Sequence, residues 1–195
     1  MKVLLTGFDP FGIDNINPSW EMARSMPDTV GGNSIAALRL PTSFFSSGDV
    51  LIEAIEEQKP DAVICTGVAD GRNSISIEKV AINYMDARIP DNSQSQPRHQ
   101  VIEADGPDAY FTGLPTLKLL DALKAEGIPG ELSYSAGTYV CNYIFYILRH
   151  YNPALISGFI HVPLLPDQMG EKRSGTPFMP LEMMVSGMKA IVAAL

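Results

Sequence analysis

Cysteine is scarce in this 195-residue chain: Cys65 and Cys141 are the whole supply. Without C-x-x-C spacing they do not match the ligand pattern of a structural zinc site, and no metal is expected. The three histidines, His99, His150 and His161, are too scattered for H-E-x-x-H. No G-x-G-x-x-G loop or P-loop supports nucleotide binding, and no G-x-S-x-G elbow supports a serine hydrolase. Charge is sparse too. Asp, Glu, Lys and Arg make up 18% of the residues, with a net charge of −8. That sign opposes a phosphate backbone, so no nucleic-acid partner is expected. No apolar run approaches the roughly 20 residues of a membrane helix, so no membrane partner is expected either. Val3 to Leu5 is too short for the apolar core of a signal peptide, which points to the cytoplasm and to two reduced thiols.

What is present is a globular composition, 46% apolar, with no repeat, low-complexity tract or linker. Residues 1–195 read as one domain. Lys2 to Leu5 predicts a first strand, followed by the turn TGFDPFG and a helix opened by Asn17 and Pro18. Ser34 to Leu40 predicts a strand, and a helix follows from Ser47 or Asp49 to Glu57. Asp61 to Thr66 is a near-continuous apolar run, the pattern of a strand covered on both faces, and it takes Cys65 into the core. Ser74 to Ile82 alternates like a strand. Residues 90–107 are polar and punctuated by Pro and Gly, a long connection of the kind that carries function or meets a partner. Leu114 to Glu126 predicts a helix, Glu131 to Ser135 a short strand, Leu155 to Val162 a buried strand and Leu181 to Leu195 a final helix. Strands and helices that mostly alternate imply an α/β fold, a three-layer α/β/α domain with a mostly parallel, mixed central sheet.

Chemistry concentrates in three places. In SAGTYVCNYIFYILR, Ala136 and Gly137 make a bend and Thr138 is a candidate N-cap, which places Cys141 in the first turn of a helix. There the helix dipole and unpaired N–H groups favour a thiolate, although a free cysteine also commonly packs as a small apolar residue. His161 interrupts an apolar strand at its C-terminal end, where open α/β sheets place ligands; a buried histidine bonded to a carbonyl is the alternative. Glu78 interrupts ISIEKVAI, where a carboxylate needs a partner unless the strand is an edge facing water. Arg88 could meet a developing oxyanion or pair with Asp86 or Asp91. His99 reads as solvated and His150 as a cap on helix carbonyls.

With Glu78, Cys141 and His161 together, the chain resembles the pyroglutamyl peptidases of type I, also called pyrrolidone-carboxylate peptidases. The resemblance runs through TGFDPFG, NPSW, GVADGRNSISIEKVAIN, DARIPDN, DGPDAYF, SAGTYVCN and GFIHVPLLPDQ. It implies a cysteine exopeptidase without a cofactor, often tetrameric, that removes the pyroglutamyl residue from N-terminally blocked peptides. By the same resemblance Cys141 is the nucleophile, His161 the base and acid, and Glu78 the group orienting His161. Arg88 then lies near the oxyanion, and Phe8, Phe11, Asn17, Val68, Tyr139 and Val140 line the lactam pocket. The chain departs from the family pattern at Asp70, at Tyr139 in place of phenylalanine, and in a shorter stretch between Cys141 and His161. Two rival readings are a binder of blocked peptides that does not cleave them and an amidotransferase-type hydrolase. The latter class usually carries Glu two residues after its histidine, where this chain has Pro163.

Overall fold

The computed structural model describes residues 1–170 and 175–195. Its elements run β1 (Lys2–Phe8), α1 (Pro18–Arg24), β2 (Thr29–Val30), β3 (Asn33–Leu40), α2 (Ser46–Gln58) and β4 (Ala62–Val68). They continue with β5 (Ile75–Glu78), β6 (Val80–Ile82), β7 (Ala109–Phe111), α3 (Thr116–Ala125), β8 (Gly130–Ser133), α4 (Val140–Tyr151), β9 (Ile156–Val162) and α5 (Leu181–Ala193). A 3-10 turn at Pro166–Gln168 follows β9.

Seven strands form one sheet in the order β2-β3-β1-β4-β9-β5-β8. Four of the pairings, β3/β1, β1/β4, β4/β9 and β5/β8, are parallel. The sheet is nevertheless mixed, because β5 runs antiparallel to β9 and β2 antiparallel to β3. Each face carries its own core. Val3, Leu5, Ile64, Ile77 and Ile160 pack with the apolar positions of α1, α3 and α5. Leu4, Val63, Cys65 and Phe159 pack with those of α2 and α4. Alternate residues of each strand therefore feed opposite layers, which explains why β4 reads as an unbroken apolar run. Side chains such as Leu51, Ile64 and Phe159, with no exposed surface, contribute roughly 1.5–3 kcal/mol each by burial. The three-layer α/β/α expectation is met.

The strand expected over Ser74–Ile82 is two strands. β5 stays in the main sheet, and β6 leaves it to pair with β7 in a second, two-stranded sheet. The break falls at Lys79, whose N–H donates to Ser133 O (2.7 Å) while its carbonyl accepts from Thr112 N (2.9 Å). These bonds splay the chain between two sheets, an exchange that alternation alone does not reveal. The long polar connection is likewise ordered by side chains. Asn83 Oδ1 accepts from Ile102 N (2.8 Å) and Glu103 N (2.9 Å). Asp91 collects the N–H groups of Phe44 (2.7 Å), Ser93 (2.8 Å) and Ser95 (2.8 Å).

Candidate active site

The C-terminal ends of β1, β4 and β9 open onto a cavity of about 410 Å³. Phe8, Val68 and His161 line it from those strands, Cys141, Val140 and Tyr139 from the start of α4, and Phe11, Asn17, Arg72 and Arg88 from loops. Every residue named from the sequence for catalysis or substrate binding borders this space, except Glu78, which lies beneath it.

Glu78 and His161 meet because of strand pairing. Ser76 is opposite His161 and Ile77 opposite Ile160 across the antiparallel β5/β9 ladder. Glu78 thus shares a face with His161 one diagonal step away, a separation long side chains bridge. His161 Nδ1 lies 2.7 Å from Glu78 Oε1, with Glu78 fully buried and His161 4% exposed. Burial alone would push the Glu78 carboxyl up, but the His161 hydrogen bond and charge, with Ser133 and Arg72, hold it below the usual carboxylate range. Burial, helped by the charge of Arg72, pushes His161 below its usual value although Glu78 raises it. The stable pair at neutral pH is therefore a carboxylate and a neutral imidazole. An ionised carboxylate can only accept, so Nδ1 carries the ring proton and Nε2 keeps its lone pair.

The cysteine comes to this pair from above. On β4, Gly67 is the register partner of His161. A Cβ added to Gly67 would lie 2.8 Å from Cys141 Sγ and 2.9 Å from the Phe159 ring. The sulfur thus occupies the space that a side chain at position 67 would fill, over the strand next to His161. Gly67 was not singled out from the sequence. A glycine inside a strand is the available signal, since it often marks a close approach.

Thr138 does not cap the helix. The N-cap is Tyr139, without a side-chain cap bond, because Thr138 Oγ1 donates instead to Asp86 O (2.9 Å) while Thr138 O accepts from Asp86 N (3.1 Å). The turn before it uses Gly137 at φ 78°, a left-handed conformation that suits glycine. Asn142, 1% exposed, then fixes the helix start laterally. Its Oδ1 accepts from Ile82 N (3.0 Å), and its Nδ2 donates to Ile82 O (2.9 Å) and Tyr84 O (3.0 Å).

Cys141 does sit in the first turn of α4, yet its thiol is not lowered. Burial pushes it up to about 12, with Glu78 adding to the rise and Arg72 opposing it. Cys65 is also pushed up to about 12 by burial. Access separates the two sulfurs: Cys65 is fully buried, whereas Cys141 faces the cavity. The resting site holds a thiol beside a neutral imidazole, and the proton must be removed rather than already absent.

Arg72 was missed in the sequence, where it sits among loop-like residues. Its Nη1 donates to Glu78 Oε1 (2.7 Å) and its Nη2 to Ser135 O (3.2 Å). Arg88 is exposed at the mouth and pairs with neither Asp86 nor Asp91. Asp86 takes Arg98 Nε (2.6 Å), and Asp91 is occupied by backbone N–H groups. Asn17 lines the cavity while capping α1: its Oδ1 accepts from Ser19 N (3.1 Å) and its Nδ2 donates to Asp9 O (2.9 Å). His150 does not bond helix carbonyls; its Nδ1 faces Tyr110 Oη at 3.0 Å. His99 is exposed, as expected, with Tyr84 Oη at 2.7 Å.

A cavity-facing thiol beside a carboxylate-oriented imidazole, on one face of an open α/β sheet, places the protein in the class of cysteine hydrolases. Comparison narrows the class. The family model described as pyroglutamyl peptidase matches residues 1–195, and the chain belongs to that family. It is 46% identical over 198 residues to the pyrrolidone-carboxylate peptidase of Lactobacillus acidophilus, covering 100% of this chain and 98% of the relative. It is 47% identical over 201 residues to that of Bacillus licheniformis, covering 100% and 93%. Among solved structures, pyroglutamyl peptidase I of Bacillus amyloliquefaciens superposes with a TM-score of 0.94 at 44% identity, covering 99% and 96% of the two chains. Pyrrolidone carboxyl peptidase of Thermococcus litoralis gives 0.94 at 39%, covering 99% and 92%.

Proposed function

We propose that the chain is a cysteine exopeptidase that hydrolyses the amide bond after an N-terminal pyroglutamyl residue, with Cys141, His161 and Glu78 as its triad. The observation that carries this reading is the 2.7 Å Glu78–His161 contact, aligned with the strand position over which the Cys141 sulfur rests.

His161 Nε2 takes the Cys141 proton as the sulfur attacks the pyroglutamyl carbonyl carbon. The imidazolium so formed is stabilised by Glu78, which has no surface exposed to water. The oxyanion is met by the first-turn N–H of Cys141, which has no intrahelical acceptor, and by Arg88 from the mouth. Each such donor supplies on the order of 3–4 kcal/mol in comparable sites. His161 then returns the proton to the departing amine. Water, deprotonated by the same nitrogen, hydrolyses the thioester and releases pyroglutamate. Phe8, Phe11, Val68, Tyr139 and Val140 offer apolar walls to the flat lactam, with Asn17 among the polar groups in reach.

A chromogenic assay on freshly reduced protein tests the reading. Pyroglutamyl amide should turn over, and prolyl and glutaminyl amides should not. Absence of pyroglutamyl turnover overturns the reading in favour of a binder. The proposal extends to residues 1–195 acting as one catalytic domain, in the cytoplasm, within a homotetramer. Among the described residues no helix is long and apolar enough to cross a membrane. Exposed apolar side chains such as Ile13 (72%), Phe111 (69%) and Leu117 (73%) supply surface for association. Light scattering that shows only monomer contradicts the tetramer.

A further inference from the structure

Glu78 has two carboxylate oxygens and an uneven share of partners. Oε1 receives both His161 Nδ1 (2.7 Å) and Arg72 Nη1 (2.7 Å). Oε2 is buried and accepts no hydrogen bond of its own; the nearby Ser133 hydroxyl is turned toward Ser135 O (3.3 Å). A buried carboxylate in this state needs a cation, because a neutral imidazole supplies a dipole but no charge. Arg72 is that cation. It also bridges three segments with its side chain. Its backbone lies in the β4–β5 connection, one nitrogen holds the last residue of β5, and the other holds Ser135 O in the turn leading to α4. The Arg72 side chain is a quarter exposed and borders the same cavity as Cys141 and His161.

We propose that Arg72 is a positioning residue of this active site: it clamps Glu78 against His161, ties that pair to the turn carrying Cys141, and supplies fixed positive charge to the triad. The inference rests on the peptidase reading above. The charge has a direction. Arg72 opposes protonation of His161 and lowers the Cys141 thiol against the push of burial. Other ionisable groups lie nearby: Asp70 in the β4–β5 connection and Arg88 and Tyr139 at the mouth border the cavity, and Cys65 acts on Cys141 from within the core of β4. Among the described residues, Glu78 has His161 and Arg72 at 2.7 Å, and of these two Arg72 is the permanent cation.

The consequence is a bell-shaped profile set by two proton losses from the coupled thiol–imidazole pair. Removing a nearby cation makes both losses harder, so both limbs move to higher pH together. In Arg72→Gln, which keeps a donor for Glu78 but no charge, the kcat/KM profile should shift alkaline by about one pH unit, the scale of one partly screened charge at close range. Activity on the acid side of the optimum should fall by about tenfold with it. Arg72→Lys, which keeps the charge but not the two-armed reach, should restore the limb positions while leaving the maximum reduced. Arg72→Met serves in place of Arg72→Gln if circular dichroism shows the latter unfolded.

Iodoacetamide alkylation of Cys141 against pH should show the same alkaline shift without requiring turnover. If wild-type protein fails to cleave pyroglutamyl amide, the peptidase reading falls, while the alkylation profiles still decide whether Arg72 acts on the thiol. Limbs that stay in place in a folded charge-free variant overturn the inference, whatever the height of the profile. So does a shift in Arg72→Lys as large as that in Arg72→Gln.

Discussion

The cavity has a floor and a rim, and they are built by opposite means. Gly67, His161 and Glu78 stand on the adjacent strands β4, β9 and β5, in a register fixed by main-chain bonds, and each is almost or fully buried. Phe11, Arg88 and Tyr139 come from loops and from the unbonded N-cap of α4, and all retain solvent exposure. The rim is joined by rings and by a single hydroxyl. Tyr139 packs against Phe11 (6.2 Å) and edge-on to Phe44 (5.4 Å), and its Oη donates to Pro90 O (3.1 Å) in the segment that carries Arg88. The floor holds proton positions, which tolerate little error. The rim holds a ligand's shape, which tolerates more.

Four substitutions sharpen that contrast. Cys141→Ala should abolish turnover of pyroglutamyl amide while leaving the circular dichroism spectrum and the melting temperature near wild type; residual turnover would remove Cys141 from the reaction. Glu78→Gln should lower kcat/KM by roughly 10³-fold or more, because a carboxamide can donate to Nδ1 and hold the wrong tautomer. A loss under tenfold would show that the carboxylate is dispensable. Gly67→Ala adds one methyl where the sulfur rests. It should cost on the order of 10–100-fold in kcat, with KM little changed, since a small displacement of a reacting atom is costly. Unchanged kcat would mean that the sulfur has room elsewhere. Tyr139→Phe is expected to be the mildest, raising KM a few-fold at constant kcat through loss of one half-exposed hydrogen bond. A large kcat effect there would erase the distinction between floor and rim.

The residues most readable in the sequence were those that interrupted a pattern. Glu78 and His161 broke apolar strands, and a buried ionisable group announces itself that way. The alternation of strands and helices was equally plain, and the structure bears out the layered fold. What stayed hidden depends on neighbours distant in the chain. Arg72 sits in a polar loop and gains meaning only when Glu78 folds beneath it. Gly67 looks like a weak point in a strand until α4 lowers a sulfur onto it. The division at Lys79 follows from bonds to Ser133 and Thr112, which no local preference encodes. Thr138 had the right chemistry for a cap, but Asp86 claimed its hydroxyl. The expected low-pKa thiol failed because helix position was legible and desolvation was not.

The antiparallel seam between β5 and β9 carries one more implication. Slipping β5 by a single residue would turn Glu78 toward the layer of α1, α3 and α5, the face on which Ile160 of β9 packs, and slipping β9 would turn His161 there instead. Such a mispaired chain would retain its helices and much of its sheet, and would look native to circular dichroism, yet it would have no oriented imidazole. Specific activity in this protein is therefore a molecular census of correct strand assembly, and refolding yields counted by turnover and by ellipticity will part company wherever that seam closes out of step.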